Sequence, residues 1–213
     1  MVTSKTEICN LSQDLLSGET VLDIDSPTTA TESMLARWYD QCRKQCLREH
    51  PWKFAAKRQI LAASATAPAF GYTKAFPLPN DFIRLLTIES SDGGQILPQE
   101  FQIESLEGVK VIMISTEASS IRLRYVYDIE DVTKFDAMFV SYLALSIALA
   151  TAYKVTESSG SVERISNLQE RQGQMARAIS GQERPPTRVE RSRNRSARMG
   201  GSSRVTHRIL FDG

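Results

Sequence analysis

The stretch "LREHPWKFAAKRQILA", residues 47 to 62, decides how the chain is read, because the period of its apolar residues changes there. Upstream, Met34, Leu35, Trp38, Tyr39, Cys42 and Cys46 recur at the spacing of one helix face. Pro51 stops that helix, since the residue before a proline is pushed out of the helical region. Downstream, "RQILA" starts a series of short alternating runs. Trp52 and Phe54 stand two residues apart at the break and are read as aromatics that seal a core beside a helix terminus, in preference to platforms that stack on bases.

Working back toward the N-terminus, Thr29 to Glu32 has the form of a capping box for that helix. Ser4 to Glu7 has the same form and is followed by Ile8, Leu11, Leu15 and Leu16 at helical spacing, with Gly18 placed to end a first helix. Residues 17 to 30 are turn-rich, and "TVLDI" within them has the makings of a short strand.

Working forward, "RQILA", "KAFPL", "FIRLLTIES", "GQILP", "FQIES", "VKVIMIS" and "IRLRYVYDI" are separated by turn-forming residues, which predicts about six or seven antiparallel strands. In the last run Ile121, Leu123 and Tyr125 alternate with Arg122 and Arg124, so the two arginines share the opposite face. Thr133 to Asp136 is a third capping sequence, opening a helix whose apolar stretch runs from Ala137 to Tyr153. That stretch is short of the roughly 20 residues that cross a bilayer and is diluted with Ser, Thr and Ala, so a buried helix is expected. Ala137, Ser141, Ala144, Ala148 and Ala152 form a stripe of small residues that lets another helix come close. A last helix, from about Ser161 to Ser180, carries Val162, Ile165, Leu168, Met175 and Ile179 on one face, with Pro185 and Pro186 beyond it.

Neither helical half buries its apolar face alone. The expected fold is therefore α+β: residues 1–56 and 129–181 form one helical bundle, residues 57–128 an inserted antiparallel all-β domain, and residues 182–213 an extended basic tail.

Catalytic signatures are missing. His50 precedes a proline and His207 lies in the tail, no nucleophile motif accompanies either, and no P-loop or GxGxxG sequence occurs. Cys42, Cys46 and His50 recur every four residues and would line one stripe of a continuous helix. Three ligands with a proline at the end make a poor zinc site, and cysteine is a common buried residue, so a core role is preferred. Asp81 in "LPND" is read as a turn residue. The expectation is a chain without catalytic residues, cofactor or metal. Cys9, Cys42 and Cys46 make no disulfide framework and fit a reducing compartment, and no secretory signal is visible.

Charge is unevenly placed. Between Arg184 and Arg208 lie eight arginines and one acid, Glu190, whereas the rest of the chain has 18 basic and 24 acidic residues. The tail's composition does not build a core by itself. Its use of arginine over lysine anticipates forked contacts to an acidic partner, protein or nucleic acid.

Three blocks in order carry a resemblance: "ESMLARWYDQCRKQCLREHPWKFAAKRQILA", "YTKAFPLPNDFIRLLTI" and "IRLRYVYDIEDVTKFDAMFVSYLALSIALATAYKVTESSG". Together, over residues 5–181, they are similar to the head-to-tail adaptor, or tail tubular protein A, family of short-tailed bacteriophages. The resemblance implies a homo-oligomeric, dodecameric ring at the head-tail junction of the virion, assembled in the host cytoplasm, with no membrane. Its partners would be the portal protein, the tail nozzle protein and tail fibres, and DNA would pass through its channel without sequence specificity. It makes Pro51, Trp52, Phe54 and Ala55 framework residues of the junction between bundle and β domain. On this reading the tail docks on the portal, with Arg188, Arg191, Arg193, Arg195 and Arg198 contacting carboxylates and Ile209, Leu210 and Phe211 as an apolar end-anchor. The alternative is a nucleic-acid-binding protein whose arginine-rich arm grips phosphate.

Overall fold

In the computed structural model, which describes residues 2–91 and 93–182, Ser4 opens α1 (Lys5–Leu16) by accepting the Glu7 backbone N–H at 3.1 Å. The Glu7 carboxylate reaches back to the Thr3 N–H instead of that of Ser4. The helix stops one residue earlier than expected, because Ser17 takes the left-handed conformation, φ 55°, while the Gly18 N–H donates to Gln13 O. Gly18 is needed for space: a Cβ there would lie 2.2 Å from the Gln13 side-chain oxygen.

Residues 17 to 30 are a loop, as their turn-rich composition suggests, and "TVLDI" within them makes no strand. Asn10 takes the place of a strand partner, accepting the Val21 N–H at 2.9 Å and donating to the Val21 carbonyl at 3.0 Å, so Val21 and Ile24 are buried within a loop. The same loop feeds α2 (Ala30–Glu49), where Thr29 and Glu32 complete a reciprocal capping box. The buried Glu32 carboxylate also accepts from the Thr28 N–H and hydroxyl and from the Leu22 N–H.

Those donors, the Thr28 and Thr29 backbone N–H groups foremost, bring the Glu32 pKa down from an ordinary 4.5 to about 2. A depressed carboxyl contributes stability that is present above its unfolded value and is lost as pH falls through its folded value. Glu32→Gln should therefore flatten the acid limb of the stability curve between those two values, as read from urea midpoints. Parallel limbs for the two proteins would refute this role for Glu32.

Six strands lie among the described residues: β1 (Ala56–Ala62), β2 (Lys74–Pro77), β3 (Phe82–Ser90), β4 (Phe101–Leu106), β5 (Val109–Ile114) and β6 (Ser120–Tyr127). They pair antiparallel in two sheets, ordered β1-β6-β3 and β2-β5-β4. Leu61, Ile88, Ile121, Leu123 and Tyr125 from the first sheet meet Phe76, Leu78, Ile112 and Ile114 from the second in a shared apolar core. The "GQILP" run is not a strand. Gln95 makes an isolated bridge to Glu89, and the chain then turns through Pro98–Glu100, where the proline has no N–H to give a ladder.

The third capping sequence also resolves differently. Asp131 takes the N–H and hydroxyl of Thr133 in a separate 3-10 turn, Val132–Lys134, so Asp136 caps α3 (Ala137–Thr156) by accepting the Met138 N–H at 2.8 Å. At 20 residues α3 is longer than the apolar stretch read from the sequence and has the length and apolar composition of a membrane-crossing helix, but more than half of it is buried inside the protein. Phe139, Leu143, Ala144 and Ile147 meet Ile8 and Cys9 of α1 and Leu35, Tyr39, Cys42 and Cys46 of α2. Within the small-residue stripe, Ala144, Ala148 and Ala152 are buried while Ala137 and Ser141 face outward.

In α4 (Ser159–Gln182) the expected face is buried only in its first part, where Ile165 is fully buried and Val162 packs beside it. Ile165, Gly173 and Ala176 turn inward, and Gln169 donates to the Ser146 hydroxyl at 2.7 Å. A Cβ at Gly173 would come within 3.3 Å of the Tyr142 ring, so the approach to α3 depends on small residues. Leu168, Met175 and Ile179 remain exposed as a consequence. The described fold is mixed α and β.

Candidate functional site at the helix-to-sheet junction

A helix leaves its last four carbonyls without partners inside the helix. At the end of α2 those belong to Cys46, Leu47, Arg48 and Glu49, and Pro51 prevents a further turn. Trp52 turns back and donates its indole N–H to the Cys46 carbonyl at 2.9 Å. Arg84, on β3, donates to the Arg48 and Glu49 carbonyls at 3.0 and 2.9 Å, placing a guanidinium at the negative end of the helix. Arg48 answers by donating to the Ile83 carbonyl at 3.1 Å. The helix end and strand β3 are thus clasped in both directions.

Beneath the clasp lies an aromatic cluster. The Trp52 ring meets Phe139 edge-on at 5.2 Å, Phe54 packs on Phe139 at 5.0 Å and on Phe135 at 5.9 Å, and His50 meets Trp52 at 4.9 Å. Ala55 is fully buried under the 3-10 turn Lys53–Ala55, while the exposed edge of Pro51 guides the chain around the corner. Pro51, Trp52, Phe54 and Ala55, named from the sequence as framework residues, are therefore brought together in one place.

The return path is fixed by a residue that the sequence reading passed over. Arg43 is 1% exposed, and its guanidinium donates to Asp128 and to the Ile129 carbonyl at 2.6 Å. Lys44 adds a second ion pair to Asp128 at 3.3 Å. Arg43 lies one turn from both Tyr39 and Leu47, so its place on the apolar stripe was the available signal for a buried, paired cation.

Asp81 does more than make a turn. Burial opposes its ionisation, but hydrogen bonds from Lys57 at 2.7 Å and from the Tyr125 hydroxyl at 2.9 Å outweigh that and hold its pKa below the ordinary value. Burial together with the bond to Asp81 pushes Tyr125 up to about 12. The Asp81 carbonyl also accepts the Asp128 N–H at 2.7 Å, which ties this network to the Arg43 site.

The Cys42, Cys46 and His50 stripe is interrupted because His50 leaves the helix with φ −130°. Burial raises the Cys42 and Cys46 thiols to about 11 and about 12, and the Cys46 thiol donates to Ser146 at 3.2 Å. Burial also lowers the pKa of His50. At the junction Arg48, Arg84 and Trp52 take up backbone carbonyls, while the buried His50 Nε2 has no hydrogen-bond partner among the described residues, and what the arrangement does chemically is tie the end of α2 to β3. The tail positions Arg188, Arg191, Arg193, Arg195, Arg198, Ile209, Leu210 and Phe211 lie outside the described residues. Set against models of known protein families the chain matches none, and no curated protein matches it.

Proposed function

We propose that the chain is a structural subunit, a head-to-tail adaptor that forms a dodecameric ring between a virus portal and the tail nozzle and surrounds the DNA channel. The observation that carries the reading is the clasped junction. A bundle drawn from residues 1–56 and 129–181 and a β unit from 57–128 are tied together by Arg43 to Asp128, Arg48 to Ile83 and Arg84 to Arg48 and Glu49, which suits a subunit that must transmit contacts without bending. Exposed apolar side chains on both parts give each a surface for neighbours: Leu168, Met175 and Ile179 on α4, and Ile60 and Val109 on the strands. Closed rings built from repeated heterologous contacts cover such surfaces. Electron microscopy of the purified protein with and without a portal ring tests this. A ring seated on the portal's central axis is expected, and single copies or an off-axis position would overturn it.

The arginine-rich arm is assigned to the portal. Truncation after Gly181 should leave a folded body that attaches poorly to portal, and alanine at Ile209, Leu210 and Phe211 should weaken attachment with little change in DNA affinity. Unimpaired attachment would remove the arm from this role. A steep salt dependence of duplex binding, lost on truncation, would move the arm to phosphate.

A further inference from the structure

The first sheet carries an arrangement that its own stability does not explain. Arg58 on β1 stands directly across from Arg124 on β6, and Arg122 follows on the same face opposite Ile60. Like charges placed opposite each other destabilise a strand pair. None of the three guanidiniums has a described carboxylate within ion-pair distance. Together with Ile60, Thr87 and Glu89 they line an open basin of about 480 Å³. Ile60 is 68% exposed, so the basin joins cations to an uncovered apolar centre.

The turn end of β4 carries the complement. Between Arg84 and Lys110 the sequence has no basic residue. Glu104 on β4 pairs with Val111 and so shares the face opposite the buried Ile112, and Val109, 49% exposed, lies on that same outer face. Glu107 is exposed in the turn that follows β4. β4 is also an edge strand, with one row of backbone groups outside the ladder. The arginines therefore occupy the face of the first sheet turned away from the shared core, and Glu104, Glu107 and Val109 gather at the β4–β5 end of the second, beside Lys110 and beyond the part of that face where Ala75, Val111 and Met113 are buried.

We propose that the Arg58, Arg122 and Arg124 basin is a docking surface for a second copy of this chain, which seats its β4 edge there with Glu104 and Glu107 against the guanidiniums and Val109 against Ile60. An apolar centre with an acid, Glu89, at its rim suits a protein partner better than a phosphate backbone. Two different patches generate a head-to-tail contact, which closes into a ring or propagates as a filament. The inference deepens the ring reading and rests on it for closure.

The test is a disulfide trap in the full chain carrying Ile60→Cys and Val109→Cys. Mild oxidation should give a ladder of multimers, because every copy offers both halves of the contact. Adding Arg124→Glu puts a carboxylate opposite Arg58, so the urea midpoint should hold or rise while ladder yield falls about tenfold or more through like-charge repulsion. Glu104→Arg in the same chain should restore the ladder. A ladder unchanged by Arg124→Glu, or dimers that form through Ile60→Cys alone, would overturn the contact. Duplex DNA binding that Arg124→Glu abolishes, with no ladder, would assign the basin to phosphate instead. The two proposals separate cleanly: a portal-bound ring without the ladder sinks this contact alone, and a ladder without portal attachment sinks the adaptor reading alone.

Discussion

Replacing Arg43 by alanine should lower the unfolding free energy by about 3 to 5 kcal/mol, because it removes the buried member of an ion pair and leaves the part-buried Asp128 behind. Asp128 would keep Lys44, whose side chain is 53% exposed and therefore a weak substitute, and the Ile129 carbonyl would lose its donor. Lysine at position 43 should recover only part of the loss, since a single ammonium that takes the place of Nη1 at Asp128 and Ile129 leaves the Nη2 contacts to Asp40 and Glu130 unfilled. Urea denaturation of Arg43→Ala, Arg43→Lys and the paired change Arg43→Met with Asp128→Leu gives the comparison. The paired change should be milder than Arg43→Ala, because it leaves no uncompensated charge. A loss below about 1 kcal/mol for Arg43→Ala would mean that water replaces the guanidinium at no cost, and the return path would then be held by packing alone.

How much was legible in the sequence follows from the range of each interaction. Ser4, Thr29 and Glu32 act on neighbours three residues away, and their capping signals correctly predicted where α1 and α2 begin. The alternation around Ile121, Leu123 and Tyr125 correctly separated a buried face from one holding Arg122 and Arg124. What failed depended on distant partners. Asn10 replaces a strand at Val21, and Gly173 and Ala176 displace Met175 and Ile179 from the buried face of α4 because α3 lies so close. At the junction, aromatic content around Pro51 marked the place, but the clasp depends on Arg84 and Asp128, which are far along the chain from α2. No local pattern encodes that pairing.

The same junction sets the second large effect. Trp52→Ala should cost on the order of 3 to 5 kcal/mol as a large-to-small change in a filled core. The side chain is buried at 5% exposure against Phe139, Phe54 and Tyr142, so water has little access to the space it would leave. Its loss also returns the Cys46 carbonyl to the set of unpartnered groups at the end of α2. Trp52→Phe separates the two contributions: it keeps most of the ring volume and loses the indole N–H, so it should cost about 1 to 3 kcal/mol, the penalty of one orphaned buried acceptor. Arg84 would still hold the Arg48 and Glu49 carbonyls, which predicts that hydrogen-exchange protection falls first in the last turn of α2 and later in β3. If Trp52→Ala is as stable as the parent and binds nucleic acid less well, the ring is a stacking platform and the junction is not sealed by it. Loss of stability with unchanged DNA affinity places Trp52 in the framework, where its hydrogen bond and its ring packing both lie.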